Sequence, residues 1–136
     1  MFSVVYVSSE ATRLTDRDLE DLLIQCRREN ATRGITGLLL FKDGNFMQLL
    51  EGEQNAVLVT LARIKNDVRH RNITVLMEEE TSGREFANWS MAYRKLNSDT
   101  PVDVPGYSDF LEVPLTSERF RNDPSRALRL LLVFKK

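Results

Sequence analysis

The sequence has one cysteine, Cys26, in 136 residues. A single thiol cannot close an intrachain disulfide, and it leaves the cysteine clusters that hold zinc or iron without ligands. A reduced, cytoplasmic setting fits that content. Basic charge is not in excess either: 19 Lys and Arg stand against 20 Asp and Glu, a formal net charge of −1. Without a basic face there is no footprint for nucleic acid. No run approaches the roughly 18 apolar residues of a membrane span. The opening Met-Phe-Ser-Val-Val-Tyr has neither the basic n-region nor the long apolar core of a signal peptide. The expectation is a protein that is neither exported nor membrane-inserted and has no nucleic-acid partner. Internal repeats and low-complexity stretches are missing too.

What is present is enough apolar side chain, 42% of the chain, to build one core at the size of a single domain. Residues 2–8 read as a strand that is apolar on both faces, with Val4 and Tyr6 on one side and Val5 and Val7 on the other. Thr15 followed by Asp18 resembles a capping box, and Leu19, Leu22, Leu23 and Cys26 recur at helical spacing, which predicts a helix over 16–30 stopped by Gly34. Apolar runs at 35–41 and 45–51 flank Lys42-Asp43-Gly44, a hairpin signal. Val57, Leu61, Ile64 and Val68 share one face of a second helix over about 55–68. Strands are predicted at 73–79 and 91–96. The order matches an α+β, ferredoxin-like βαββαβ fold with an additional fifth strand and both helices on one sheet face. In that topology the first and third strands are neighbours, so Tyr6 and Gln48 can approach each other. Pro101, Pro105 and Gly106 separate residues 1–97 from a tail, 98–136, in which Asp123-Pro124 and the stripe Ala127, Leu128, Leu131, Leu132 predict a short terminal helix.

A few residues could carry chemistry, each with a plainer reading beside it. Gln48 shares a strand face with Phe46 and Leu50, so its amide is either buried and in need of partners or turned to solvent on a sheet covered on one side. Asn30 lies on the apolar face of the first helix, as a helix terminator or as a ligand contact. Tyr6 is a core tyrosine whose hydroxyl needs a partner, or more than that. Arg69 and His70 read as cations at the end of the second helix, facing the negative end of its dipole. Trp89, Met91 and Tyr93 alternate along the last strand as an aromatic and thioether stripe of the kind that usually packs a core.

Together these residues fall into blocks. Tyr6, then Asn30 followed by Gly34-Ile35-Thr36-Gly37-Leu38-Leu39, Phe46-Met47-Gln48-Leu49-Leu50-Glu51-Gly52, Asp67-Val68-Arg69-His70 and Phe86-Ala87-Asn88-Trp89-Ser90-Met91 resemble BLUF domains (sensors of blue light using FAD) in order and spacing, over about residues 2–96. The resemblance implies a flavin-binding domain over 1–97 of the short type without a fused effector. Its cofactor would be FAD, with FMN or riboflavin as possible substitutes. It implies that Asn30 pairs with the pyrimidine edge of the ring, Arg69 donates to a ring carbonyl, His70 lies beside the flavin, and Gln48 sits between the flavin and Tyr6. Light would drive proton-coupled electron transfer from Tyr6 and a rearrangement of the Gln48 hydrogen bonds, giving a reversible red-shifted state. Trp89 and Met91 belong to the segment that responds to Gln48, and Cys26 and Ser90 are positions that tune it. The resemblance further implies no catalysis, an unidentified downstream signalling protein as partner, and a homodimer or higher homo-oligomer.

Cys26 departs from the family pattern, where serine is common, and a thiol is the weaker donor. No motif for the FAD diphosphate is visible, although Arg28 and Arg33 are nearby. Two rivals use the same strand order. An acylphosphatase-type hydrolase needs a phosphate-binding loop after the first strand, and Ser8-Ser9-Glu10-Ala11-Thr12 offers no glycine-rich cradle. A cofactor-free interaction module shares the fold and differs in being colourless.

Overall fold

The structure, a computed structural model, describes residues 1–87 and 90–96. Trp89, the domain boundary expected at 97/98 and the expected terminal helix lie outside the described residues.

Local chemistry accounts for most of the elements. Strand β1 (Phe2–Glu10) leads to helix α1 (Asp16–Arg33), where Thr15 and Asp18 form the reciprocal capping box: Asp18 N donates to Thr15 Oγ1 at 3.1 Å and Thr15 N to Asp18 Oδ2 at 2.9 Å. Such a cap is worth about 1 kcal/mol. Gly34, left-handed at φ 69°, closes α1, and the N–H of Ile35 bonds Asn30 O at 2.9 Å. Strands β2 (Thr36–Lys42) and β3 (Asn45–Gly52) are joined by Asp43 and Gly44 at φ 51° and 81°. Two consecutive positive φ values give the two-residue loop whose twist suits a hairpin. Helix α2 (Gln54–Lys65), strand β4 (His70–Glu80) and strand β5 (Ala92–Leu96) complete the chain.

The sheet order is β4-β1-β3-β2-β5, antiparallel throughout except for the parallel β2–β5 pair. This is the ferredoxin-like arrangement with an added fifth strand that the sequence predicts, and the structure puts that strand on the β2 edge. Leu19, Leu22 and Leu23 of α1 and Val57 and Leu61 of α2 join one core with Val4, Tyr6, Leu39, Phe46 and Leu50, so both helices lie on the same sheet face. Each such side chain contributes about 1.5–3 kcal/mol on burial. Val5, Val7, Leu38, Leu40, Met47 and Leu49 on the opposite face are buried as well, in keeping with β1 being apolar on both sides.

Two expectations need correction. Helix α2 stops at Lys65 rather than near 68, and Val68, read as part of its apolar face, is 86% exposed. The cause is Asp67, whose Oδ1 accepts from Arg69 N at 2.9 Å and folds the backbone into an Asx turn. Arg69 therefore sits in a turn and His70 opens β4; neither is a helix-terminal cation. Helix α1, in contrast, runs past Asn30 to Arg33, so Asn30 is not a terminator and its side chain is free to point inward.

Candidate functional site

Tyr6 and Gln48 are directly opposite each other in the β1–β3 register, on the face that the helices cover. Tyr6 is 0% exposed and Gln48 3%. The Tyr6 hydroxyl donates to Gln48 Oε1. That bond turns the other end of the amide away, and Gln48 Nε2 points at two sulfurs, Met91 Sδ at 3.3 Å and Cys26 Sγ at 3.8 Å. Burial holds the Tyr6 phenol well above its ordinary pKa, and burial also pushes up the Cys26 thiol. Both groups stay protonated at neutral pH. A buried amide that finds only sulfur for its N–H groups is poorly satisfied, since thiols and thioethers are weak acceptors.

Asn30 is 1% exposed in the last turns of α1. Its Nδ2 donates to Ser90 O at 3.0 Å and to Cys26 Sγ at 3.5 Å, while its Oδ1 has no hydrogen-bond partner among the described residues. A buried acceptor left this way costs about 1–3 kcal/mol unless a ligand or water supplies the donor. Beside it lies a cleft of about 320 Å³ between the helices, walled by Cys26, Asn30 and Arg33 of α1, Thr60, Arg63 and Ile64 of α2, and Asp67 and Arg69 of the following turn. Hydrocarbon, amides and guanidinium groups in one slot suit a flat heterocycle with polar edges. The buried acceptor of Asn30 and the donors of Arg69 fit such a group.

Arg69 is held at this cleft by an ion pair with Asp67 at 2.6 Å and by a bond to Gln25 Oε1 at 3.0 Å. Hydrogen bonds from Arg69 pull the Asp67 carboxyl below its usual range. Thus Cys26, Asn30 and Arg69 line the cleft, and Tyr6, Gln48 and Met91 stand behind it, joined to it through the Cys26 sulfur. His70 lies elsewhere: Nδ1 is 3.0 Å from Ser8 Oγ and the ring packs on Phe46 with centroids 4.8 Å apart. Burial lowers its pKa. Ser90 contributes its backbone carbonyl.

Sequence reasoning assigned no role to two further groups. Arg27 Nε donates to Met91 O at 2.9 Å. Glu51, 0% exposed, accepts from Thr36 Oγ1 at 2.9 Å, Glu85 N at 2.9 Å and Phe86 N at 2.6 Å. The place of Glu51 directly after the apolar run 46–50 was the available signal. Nothing in the sequence marks Arg27.

The family model described as sensors of blue light using FAD matches residues 1–92. Photoactivated adenylate cyclase subunit beta of Euglena gracilis is 35% identical over 90 residues, which are 65% of this chain and 10% of that protein. The chain thus spans only a small part of the cyclase relatives it matches. The photo-activated state of BlsA superposes with a TM-score of 0.77 at 29% identity, covering 96% of this chain and 94% of BlsA. The dark-state structure of BlrB, a BLUF protein, gives 0.72 at 26% identity over 93% of each chain.

Proposed function

The chain belongs to the BLUF family, flavin-binding sensors of blue light without catalytic activity of their own, and from that premise we propose a photoreceptor that binds FAD and switches through Tyr6 and Gln48. The observation that carries this reading is the buried chain Tyr6–Gln48–Met91, set behind a cleft where Asn30 offers an acceptor with no partner among the described residues.

Asn30 and Arg69 would hold the ring, and a bound flavin supplies blue absorption together with, once excited, an acceptor for an electron from a nearby phenol. The remaining steps belong to the protein. Tyr6 is the electron and proton source, and its proton leaves along the hydrogen bond to Gln48 Oε1. A carboxamide suits this relay because one end accepts and the other donates. Rotation or tautomerisation of Gln48 exchanges those ends, and the Nε2 contacts to Met91 and Cys26 change with them. Met91 immediately precedes β5, and with Trp89 it would carry the change onward to a separate signalling protein that binds the two states with different affinity. Cys26, through its sulfur, and Ser90, through its carbonyl, tune the network.

The test is a visible spectrum of purified protein before and after blue illumination, repeated with Tyr6→Phe and Gln48→Leu. A flavin spectrum with a reversible red shift that both substitutions abolish is the expected result. Colourless protein, or a flavin that only bleaches, would overturn the reading.

A further inference from the structure

Two consecutive carbonyls ahead of β5 are tied to α1. Met91 O accepts from Arg27 Nε at 2.9 Å, and Ser90 O accepts from Asn30 Nδ2 at 3.0 Å. Arg27 and Asn30 are three residues apart, one turn, so their side chains reach the same segment. Past this clamp the backbone enters the β2–β5 ladder, where Ala92 pairs with Leu38. The Met91 side chain is then confined at both ends. Its sulfur lies 3.3 Å from Gln48 Nε2, and its methyl lies over Gly37, where a side-chain carbon would come within 3.4 Å of it. A thioether with three rotatable bonds adapts easily to many positions, and the tie on its own carbonyl adds a backbone anchor to these side-chain contacts.

We propose that Arg27 is a positioning residue for the photoreaction: by holding the Met91 carbonyl, it keeps the thioether on the Gln48 carboxamide and sets the rate at which that amide returns to its dark orientation. The kinetic part rests on the photoreceptor reading; the clamp rests on geometry alone. Of the two donors, Asn30 also lines the cleft, so its substitution would disturb ligand binding and clamp together. Arg27 does not line the cleft. Its side chain is largely exposed, and its removal leaves no buried charge behind. A guanidinium donor to a carbonyl is charge-assisted and stronger than a neutral pair.

The experiment compares Arg27→Ala, Arg27→Lys and, as control, the neighbouring Arg28→Ala in the full chain. Arg28 makes no hydrogen bond or ion pair among the described residues. Three quantities are read: bound flavin per protein, dark-recovery time after a blue pulse, and the dark-state NMR resonance of the Met91 methyl carbon, assigned with Met91→Leu. Arg27→Ala should shift the Met91 resonance and change the recovery time by roughly three- to tenfold, the range expected from losing part of one charged hydrogen bond, at unchanged flavin content. Arg27→Lys should restore part of both effects, and Arg28→Ala should alter neither. An unmoved resonance in Arg27→Ala overturns the proposal. A moved resonance with unchanged recovery also overturns it, leaving Arg27 a structural tie only. Wild-type protein without any light response would remove the photoreceptor reading instead, and the clamp would then stand or fall on the methyl resonance.

Discussion

The hydroxyl of Tyr6 and the side-chain carbonyl of Gln48 meet inside the β1–β3 pair, and this bond fixes which way the amide points. In the reverse orientation the carbonyl oxygen would face Met91, whose sulfur has no proton to give. Tyr6 and Met91 thus jointly select one orientation. Tyr6→Phe strands Gln48 Oε1 and should destabilise the fold by about 1–3 kcal/mol. Gln48→Leu strands the tyrosine hydroxyl at similar cost. Because each single variant leaves the other polar group buried alone, the double variant should lose less than the sum of the two, by about 1–2 kcal/mol. Urea denaturation of the four proteins checks this, and strict additivity would show that the bond contributes nothing.

Cys26 is the sulfur between Gln48 Nε2 and the cleft. A serine hydroxyl is both a stronger acceptor for that N–H and a stronger donor to a carbonyl turned toward it than the thiol, so it changes the balance between the two amide orientations. Cys26→Ser should change the dark-recovery rate severalfold, followed as the decay of red-shifted absorbance. Identical kinetics in the two proteins would reduce Cys26 to packing.

The strand order and the approach of Tyr6 to Gln48 were legible because they follow from period-two and period-3.6 patterns and from one hairpin signal at Asp43-Gly44. The end of α2 was not. Val68 continues the apolar spacing of Val57, Leu61 and Ile64, and periodicity cannot register that the Asp67 carboxylate turns the backbone first. Asn30 was ambiguous for a related reason: helix ends are set by Gly34 taking a positive φ, and the pattern alone allowed the helix to stop at either residue. The cleft and the Arg27 clamp were invisible, since the cleft depends on how α1 lies against residues 60–69 and the clamp on how it lies against Met91, 64 positions from Arg27.

Glu51 shows the same limit on the other side of β3. Its buried carboxylate gathers a hydroxyl and two backbone N–H groups, fixing residues 84–86, while Arg84 adds bonds to Thr36 Oγ1, Glu51 O and Gly34 O. Truncation would leave the Glu85 and Phe86 amides without this acceptor. Glu51→Ala should therefore cost about 3 kcal/mol or more, and Glu51→Gln less, because one oxygen still accepts. Urea denaturation ranks the variants, and limited proteolysis should find new cleavage near residues 84–86 in Glu51→Ala alone.

His70 gives the fold its pH response near neutrality. It is the single histidine of the chain, so no other side chain has an ordinary pKa between about 5 and 8. Burial lowers its pKa, with Asp67 opposing and Arg69 adding to the shift. The unfolded chain therefore takes up a proton at a pH where the folded chain does not. Stability from this group is complete above the unfolded value of about 6.5 and is lost as pH falls through it toward the lower folded value. Unfolding free energy should decline between about pH 7.5 and pH 5.5, by no more than about 1.4 kcal/mol per pH unit. Asp67, whose carboxyl is held down by Arg69, withdraws its own contribution only further down, in the carboxylate range. Urea denaturation across this window should give a slope in the wild type that His70→Gln flattens. An equal slope in both proteins would assign the response to other groups.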